Sequence, residues 1–164
     1  MDLNKNHSTR TVLKFWGRRN VTALNAHYAA SKLYAKKHYL VGIPAVVLAS
    51  FVGTSVFASL SQEISPFIKI VVSCCSALAA ILAGVQTFLN YSQKSEKHRL
   101  IASKYSSMGR EIEQLLTNTD EQLAKKQEEI DILRKKIDLI AQEAPILPKG
   151  LYENAYNKNH ENKF

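Results

Sequence analysis

Two long runs without a single charged residue constrain this chain most. Residues 40–60 read LVGIPAVVLASFVGTSVFASL and residues 70–91 read IVVSCCSALAAILAGVQTFLNY; neither holds Asp, Glu, Lys, Arg or His. A bilayer core about 30 Å thick is crossed by roughly 20 apolar residues of helix, and both runs meet that length. A core helix of a water-soluble protein keeps a polar face, and neither run has a continuous one. The connector, residues 61–69, is SQEISPFIK, too short to house a domain. The reading is an all-α membrane protein: a transmembrane helical hairpin with cytosolic N-terminal and C-terminal helices.

Charge gives the hairpin a direction. The chain carries +8, and residues 1–39 hold eight Lys or Arg against Asp2 alone. The connector balances Glu63 with Lys69, and residues 92–164 are near balance. Lys32, Lys36 and Lys37 precede the first run, and Lys94, Lys97, Arg99, Lys104 and Arg110 follow the second. The positive-inside rule therefore predicts both termini in the cytoplasm. A basic stretch beside a span fixes topology or touches anionic lipid. Nucleic-acid binding is the rival use of such charge, but no recognisable module accompanies it, so no direct nucleic-acid contact is expected. The first run begins too late for an ordinary cleaved signal peptide, and both spans are expected to be retained.

Four segments follow: a cytosolic basic helix in residues 1–39, the two-helix hairpin in 40–91, a cytosolic amphipathic extension in 92–143, and a Pro-bounded polar tail in 144–164. The first helix is expected to start near Thr9 or Thr11. Trp16, Ala23, Ala26, Ala30, Leu33 and Lys37 share one of its faces. Leu13 and Trp16, close to Arg18 and Arg19, suit either the headgroup level or packing on the chain's own cytosolic part. His38 and Tyr39 mark the approach to the membrane. Gly42 and Pro44 predict a kink or break over residues 41–43, because proline removes a donor and disfavours helix at the residue before it.

Within the spans, Ala45, Ala49 and Gly53 recur every four residues, and so do Ser76, Ala80 and Gly84. Such stripes leave a groove where another helix can approach closely, either within the hairpin or between protomers. Gln86 and Asn90 lie one turn apart near the cytosolic end of the second span. They are either wet interfacial residues or the polar lining of a pore in an oligomer. Cys74 and Cys75 are adjacent, too close for a usual disulfide, and read as small packing residues.

After residue 91 the polarity changes abruptly. Leu116, Leu123, Ile130 and Ile137 recur every seven, with Ile112, Leu133 and Ile140 on the companion seam and Thr119 and Lys126 interrupting it. An amphipathic helix of about 30 residues is expected, as a coiled coil or as an antiparallel partner of the first helix. Pro145, Pro148 and Gly150 end it. The tail beyond is Asn- and Lys-rich and is ordered only if it docks.

No catalytic constellation is legible. His7, His27, His38, His98 and His160 lack partners at metal-site spacing. There is no phosphate-cradling glycine loop and no nucleophile elbow. The acids between Glu111 and Asp131 read as a solvated helix face. No enzyme activity, metal or cofactor is expected.

Three pieces carry a family resemblance: HYLVGIPAVVLASFVGTSVF (38–57), GVQTFLNYSQKSEKHR (84–99) and ASKYSSMGREIE (102–113). In that order and spacing they resemble the SLATT family of bacterial two-transmembrane proteins. The resemblance implies an inner-membrane effector of prokaryotic conflict systems, with nucleotide-signal or reverse-transcriptase partners. It implies pore opening or membrane damage in antiphage defence. The expected partners are therefore the lipid bilayer, further copies of the chain and a signalling system. The other reading is a non-catalytic membrane anchor whose long C-terminal helix docks a cytosolic partner.

Overall fold

The computed structural model describes residues 8–59 and 65–161. Every regular element among them is a helix: α1 Thr9–Ser59, α2 Pro66–Leu89, α3 Tyr91–Leu116, α4 Asp120–Lys125, α5 Gln127–Glu143 and α6 Leu151–Glu161. The chain divides into two compact units, Met1–Ser31 with Glu96–Phe164, and Lys32–Ser95.

α1 starts where the sequence predicts, with the Ser8 carbonyl accepting from the amides of Thr11 and Val12 at 2.7 and 3.2 Å. It then runs for 51 residues with Pro44 inside it. The break expected over residues 41–43 is absent. Proline removes one donor, while a wider opening would strip several backbone bonds in surroundings without water, so the helix continues through it. α2 begins earlier than the uncharged run, because Pro66 presets the helical φ of the first turn after an extended Ser65. The expected loop 61–69 is thereby shortened: residues 66–69 are helical, and residues 60–64 lie outside those described.

The first unit is built from antiparallel pairings. His27 meets His98, and the Asn20 side chain donates to the Tyr105 carbonyl. Residue numbers add to 125 in both pairs, as they do when two helices run in opposite directions seven residues at a time. α3 and α5 pair the same way through Glu111–Lys136 and Lys104–Glu143. The core gathers Leu13, Ile112, Leu115, Leu123, Leu133 and Ile140, with Trp16 packed against it. Leu13 is fully buried there, which settles the choice for Leu13 and Trp16 in favour of packing on the chain itself.

The 30-residue amphipathic helix is not continuous. α3 stops at Leu116. Thr119 then opens α4 with a capping box, its hydroxyl accepting from the Gln122 amide and the Gln122 side chain accepting from the Thr119 amide. α5 follows at Gln127 and folds back on α3. The heptad seam is thus spent inside one chain rather than offered to a second. The tail does form a helix. Gly150 at φ 82 makes the turn that leads into α6, Ala155 is buried, and Asn159 bonds Asn25 and Thr22.

Candidate functional site

The second unit is the hairpin, and its inward face is narrow. On α1, Gly42 and Ala45 are buried and Leu48, Val52 and Ser55 half-buried; on α2, Val72, Cys75, Ala79, Leu82, Gln86 and Leu89 are half-buried. The three-four spacing of both rows is that of knobs-into-holes packing. The other described residues of the two spans are mostly open, and only 6% of the most apolar window within Pro66–Leu116 is buried. The two helices are long and apolar enough to cross a membrane.

The close approach centres on Gly42. A Cβ there would lie 3.0 Å from the Gln86 amide nitrogen, which in turn sits 3.4 Å from His38 Nδ1. Gln86 therefore faces α1. Asn90 does not share that position. It is exposed and left-handed at φ 44, closes α2 and precedes α3. Its side-chain amide donates to Gln93 Oε1 at 2.9 Å. Asparagine tolerates this conformation better than other residues with a Cβ.

The two small-residue stripes part company as well. Ala45 turns inward, whereas Ala49, Gly53, Ser76, Ala80 and Gly84 are exposed. A Cβ added at Gly53 or Gly84 would meet nothing within 4 Å. Pro44 is exposed too. The outward hydroxyls of Ser50, Thr54, Ser73 and Thr87 each bond a carbonyl four residues back. That satisfies them within the helix and leaves the outer surface apolar in effect. Where the apolar runs end, Tyr34 stacks on Tyr91 with Lys37 over both rings at 5.8 and 5.7 Å and Lys94 5.9 Å from Tyr91. Aromatic rings and snorkelling lysines suit a headgroup layer.

The first unit holds a buried polar pair that sequence reasoning missed. His27 and His98 are 3% and 2% exposed, with their Nδ1 atoms 2.9 Å apart. One Nδ1 donates and the other accepts, so at least one of the two rings is neutral, and Tyr105 stacks on His27. Burial, and then the neighbouring His98, lower the His27 pKa from 6.5 to about 4. Burial also lowers that of His98. The signal was available in the spacing: Leu13, Asn20 and His27 fall seven apart, a seam that hydropathy alone reads as interrupted. Among the described residues no three His, Cys, Asp or Glu gather as a metal site would require.

A family model described as SMODS and SLOG-associating 2TM effector domain family 4 matches residues 12–164. The match spans both units and the tail as well as the pieces that carried the resemblance. No curated protein and no solved structure matches significantly.

Proposed function

The chain belongs to the SMODS and SLOG-associating 2TM effector domain family 4, and we propose that it acts by assembling in the bacterial inner membrane into a pore that dissipates the membrane potential. In this reading both termini are cytoplasmic and the chain serves in antiphage defence, downstream of a nucleotide-signal or reverse-transcriptase partner. One observation carries it. The hairpin closes through Gly42, Ala45 and Gln86, and the stripe Ser76, Ala80 and Gly84 stays free on the outside with open space at Gly84. Small residues facing outward in lipid allow the close helix approach that drives association between copies.

The test is a potential-sensitive dye in cells after triggered expression. Depolarisation at the onset of growth arrest is expected. Growth arrest with an intact potential would overturn the reading. Gly84→Leu separates pore from anchor: it leaves the hairpin's own packing untouched and is expected to keep the protein in the membrane while abolishing depolarisation. An anchor that merely recruits a partner would be insensitive to this change.

A further inference from the structure

Where the apolar runs of the hairpin end, side chains from two helices meet. Tyr34 and Lys37 come from α1, and Tyr91 and Lys94 from the start of α3. The two rings stack with centroids 6.1 Å apart and planes 27° from parallel. The Lys37 ammonium lies 5.8 Å from the Tyr34 centroid and 5.7 Å from that of Tyr91, and the Lys94 ammonium lies 5.9 Å from the Tyr91 centroid. Both rings are half-buried and both lysines exposed. The fold thus brings two positive charges, from two helices, to one aromatic ring.

No acid of the hairpin answers this charge. Every ion pair among the described residues lies in the first unit. The aromatic rings hold the ammoniums only weakly, since these distances are near the outer limit of about 6 Å for a cation over a ring. An oxyanion binds an ammonium more strongly, by a charge-assisted hydrogen bond. Two like charges beside one ring also repel each other, and an anion between them removes that repulsion. The surface next to the cluster is apolar on both helices. Leu40, one turn beyond Lys37, is 70% exposed, and Phe88, three residues before Tyr91, is 88% exposed. An occupant that satisfies both features is anionic at one end and hydrocarbon along its length, as a phospholipid is.

We propose that Lys37 and Lys94 together bind the phosphodiester of one anionic phospholipid, of the phosphatidylglycerol type, whose acyl chains lie along the exposed sides of the two spans. Each ammonium donates to a phosphate oxygen, and the stacked rings hold the two lysines in reach of the same headgroup. The lipid joins α1 to α3 beside Asn90, the one non-glycine residue with positive φ among those described. Its headgroup therefore ties the helices at the joint where α2 hands over to α3. The site rests on the hairpin lying in a bilayer and does not depend on copies assembling into a pore.

The experiment uses the full chain in neutral detergent micelles, which have no surface potential of their own. It is titrated with phosphatidylglycerol or phosphatidylcholine, and bound lipid is read by native mass spectrometry. The first phosphatidylglycerol is expected to bind about fivefold or more tighter than phosphatidylcholine. Lys37→Gln and Lys94→Gln should each weaken phosphatidylglycerol by about fivefold and leave phosphatidylcholine unchanged. Lys37→Arg keeps the charge and should keep the preference. Lys36→Gln removes the same charge from the neighbouring position and should change neither lipid. Equal affinity for the two lipids overturns the proposal. So does a loss in Lys36→Gln as large as that in Lys37→Gln, which would make the attraction a diffuse one. Displacement of the lipid by about 10 mM glycerol 3-phosphate also overturns it, since the site would then be one for a free phosphate. Gly84→Leu should still bind phosphatidylglycerol, so failure of the pore and failure of this site are read separately.

Discussion

The two units place the same kinds of residue in opposite ways. In the first unit Leu13, Ile112, Leu123 and Leu133 are turned inward and almost wholly hidden. In the hairpin Leu40 is 70% exposed and Phe88 88% exposed, while Gly42 and Ala45 occupy the buried positions. Water drives the first arrangement, since apolar surface removed from it stabilises the fold. Lipid gives no such drive between helices, so the hairpin closes where backbones come near. The difference teaches that stability in one unit follows buried volume and in the other follows close approach.

The strongest break of this contrast is a charge in the watery core. Ile112→Asp is expected to cost more than about 4 kcal/mol, because an unpaired carboxylate replaces a 1% exposed side chain. Trp16 is the single tryptophan of the chain and packs on that core. Its fluorescence during urea unfolding in micelles therefore reports the first unit alone. Ile81→Ala, on the outer face of α2, should leave the Trp16 transition within about 0.5 kcal/mol of the parent. Equal effects of the two changes would erase the distinction between the units.

Acid sharpens it next. The folded state holds His27 at about 4 against 6.5 for a free histidine. Between those values the unfolded chain binds the extra proton, so stability is full above about 6.5 and falls as pH drops toward 4. The expected loss over that window is about 3 kcal/mol for His27. The Trp16 transition should shift to lower urea in acid, and His27→Phe should flatten the dependence. A transition that is insensitive to pH would show that the pair is not held neutral.

In the hairpin the corresponding weak point is a contact rather than a volume. Gly42→Ala places a Cβ 3.0 Å from the Gln86 amide nitrogen and is expected to cost about 1–2 kcal/mol by overpacking. In a Gln86→Ala background the same change should cost much less, a coupling that a double-mutant cycle on thermal melting in micelles will read. Additive effects would mean that the two helices do not meet at Gly42.

What was legible follows the same physics. Absence of charge over two spans of the right length announces a hairpin, and no polar detail is needed. The rotation of each helix was not legible, because small residues every four positions mark a face without saying toward what. Gly42 opposite Gln86 decides it, and that pairing joins residues 44 positions apart. The heptad residues of 112–140 were correctly seen as a buried seam, yet they belong to three helices. His27 and His98 were hidden because polar side chains at core positions look like gaps in an apolar pattern. α6 was hidden for a different reason: among its residues 151–159 only Ala155 is buried, too little to leave a periodic trace.

The smallest expected effect concerns the turn that separates those helices. Thr119 and Gln122 stand at the spacing of a reciprocal cap, and both bonds are formed. Thr119→Ala removes one acceptor for the α4 amides and is expected to cost about 1 kcal/mol. Thr119→Asp should restore most of that, since an acid at the start of a helix also meets its positive end. Both act through the first unit, so the Trp16 transition should move and thermal melting of the hairpin should not. If Thr119→Ala instead left the Trp16 transition in place, α3 and α5 would be turning back on each other without the cap. The apolar seam alone would then account for the fold of residues 112–140.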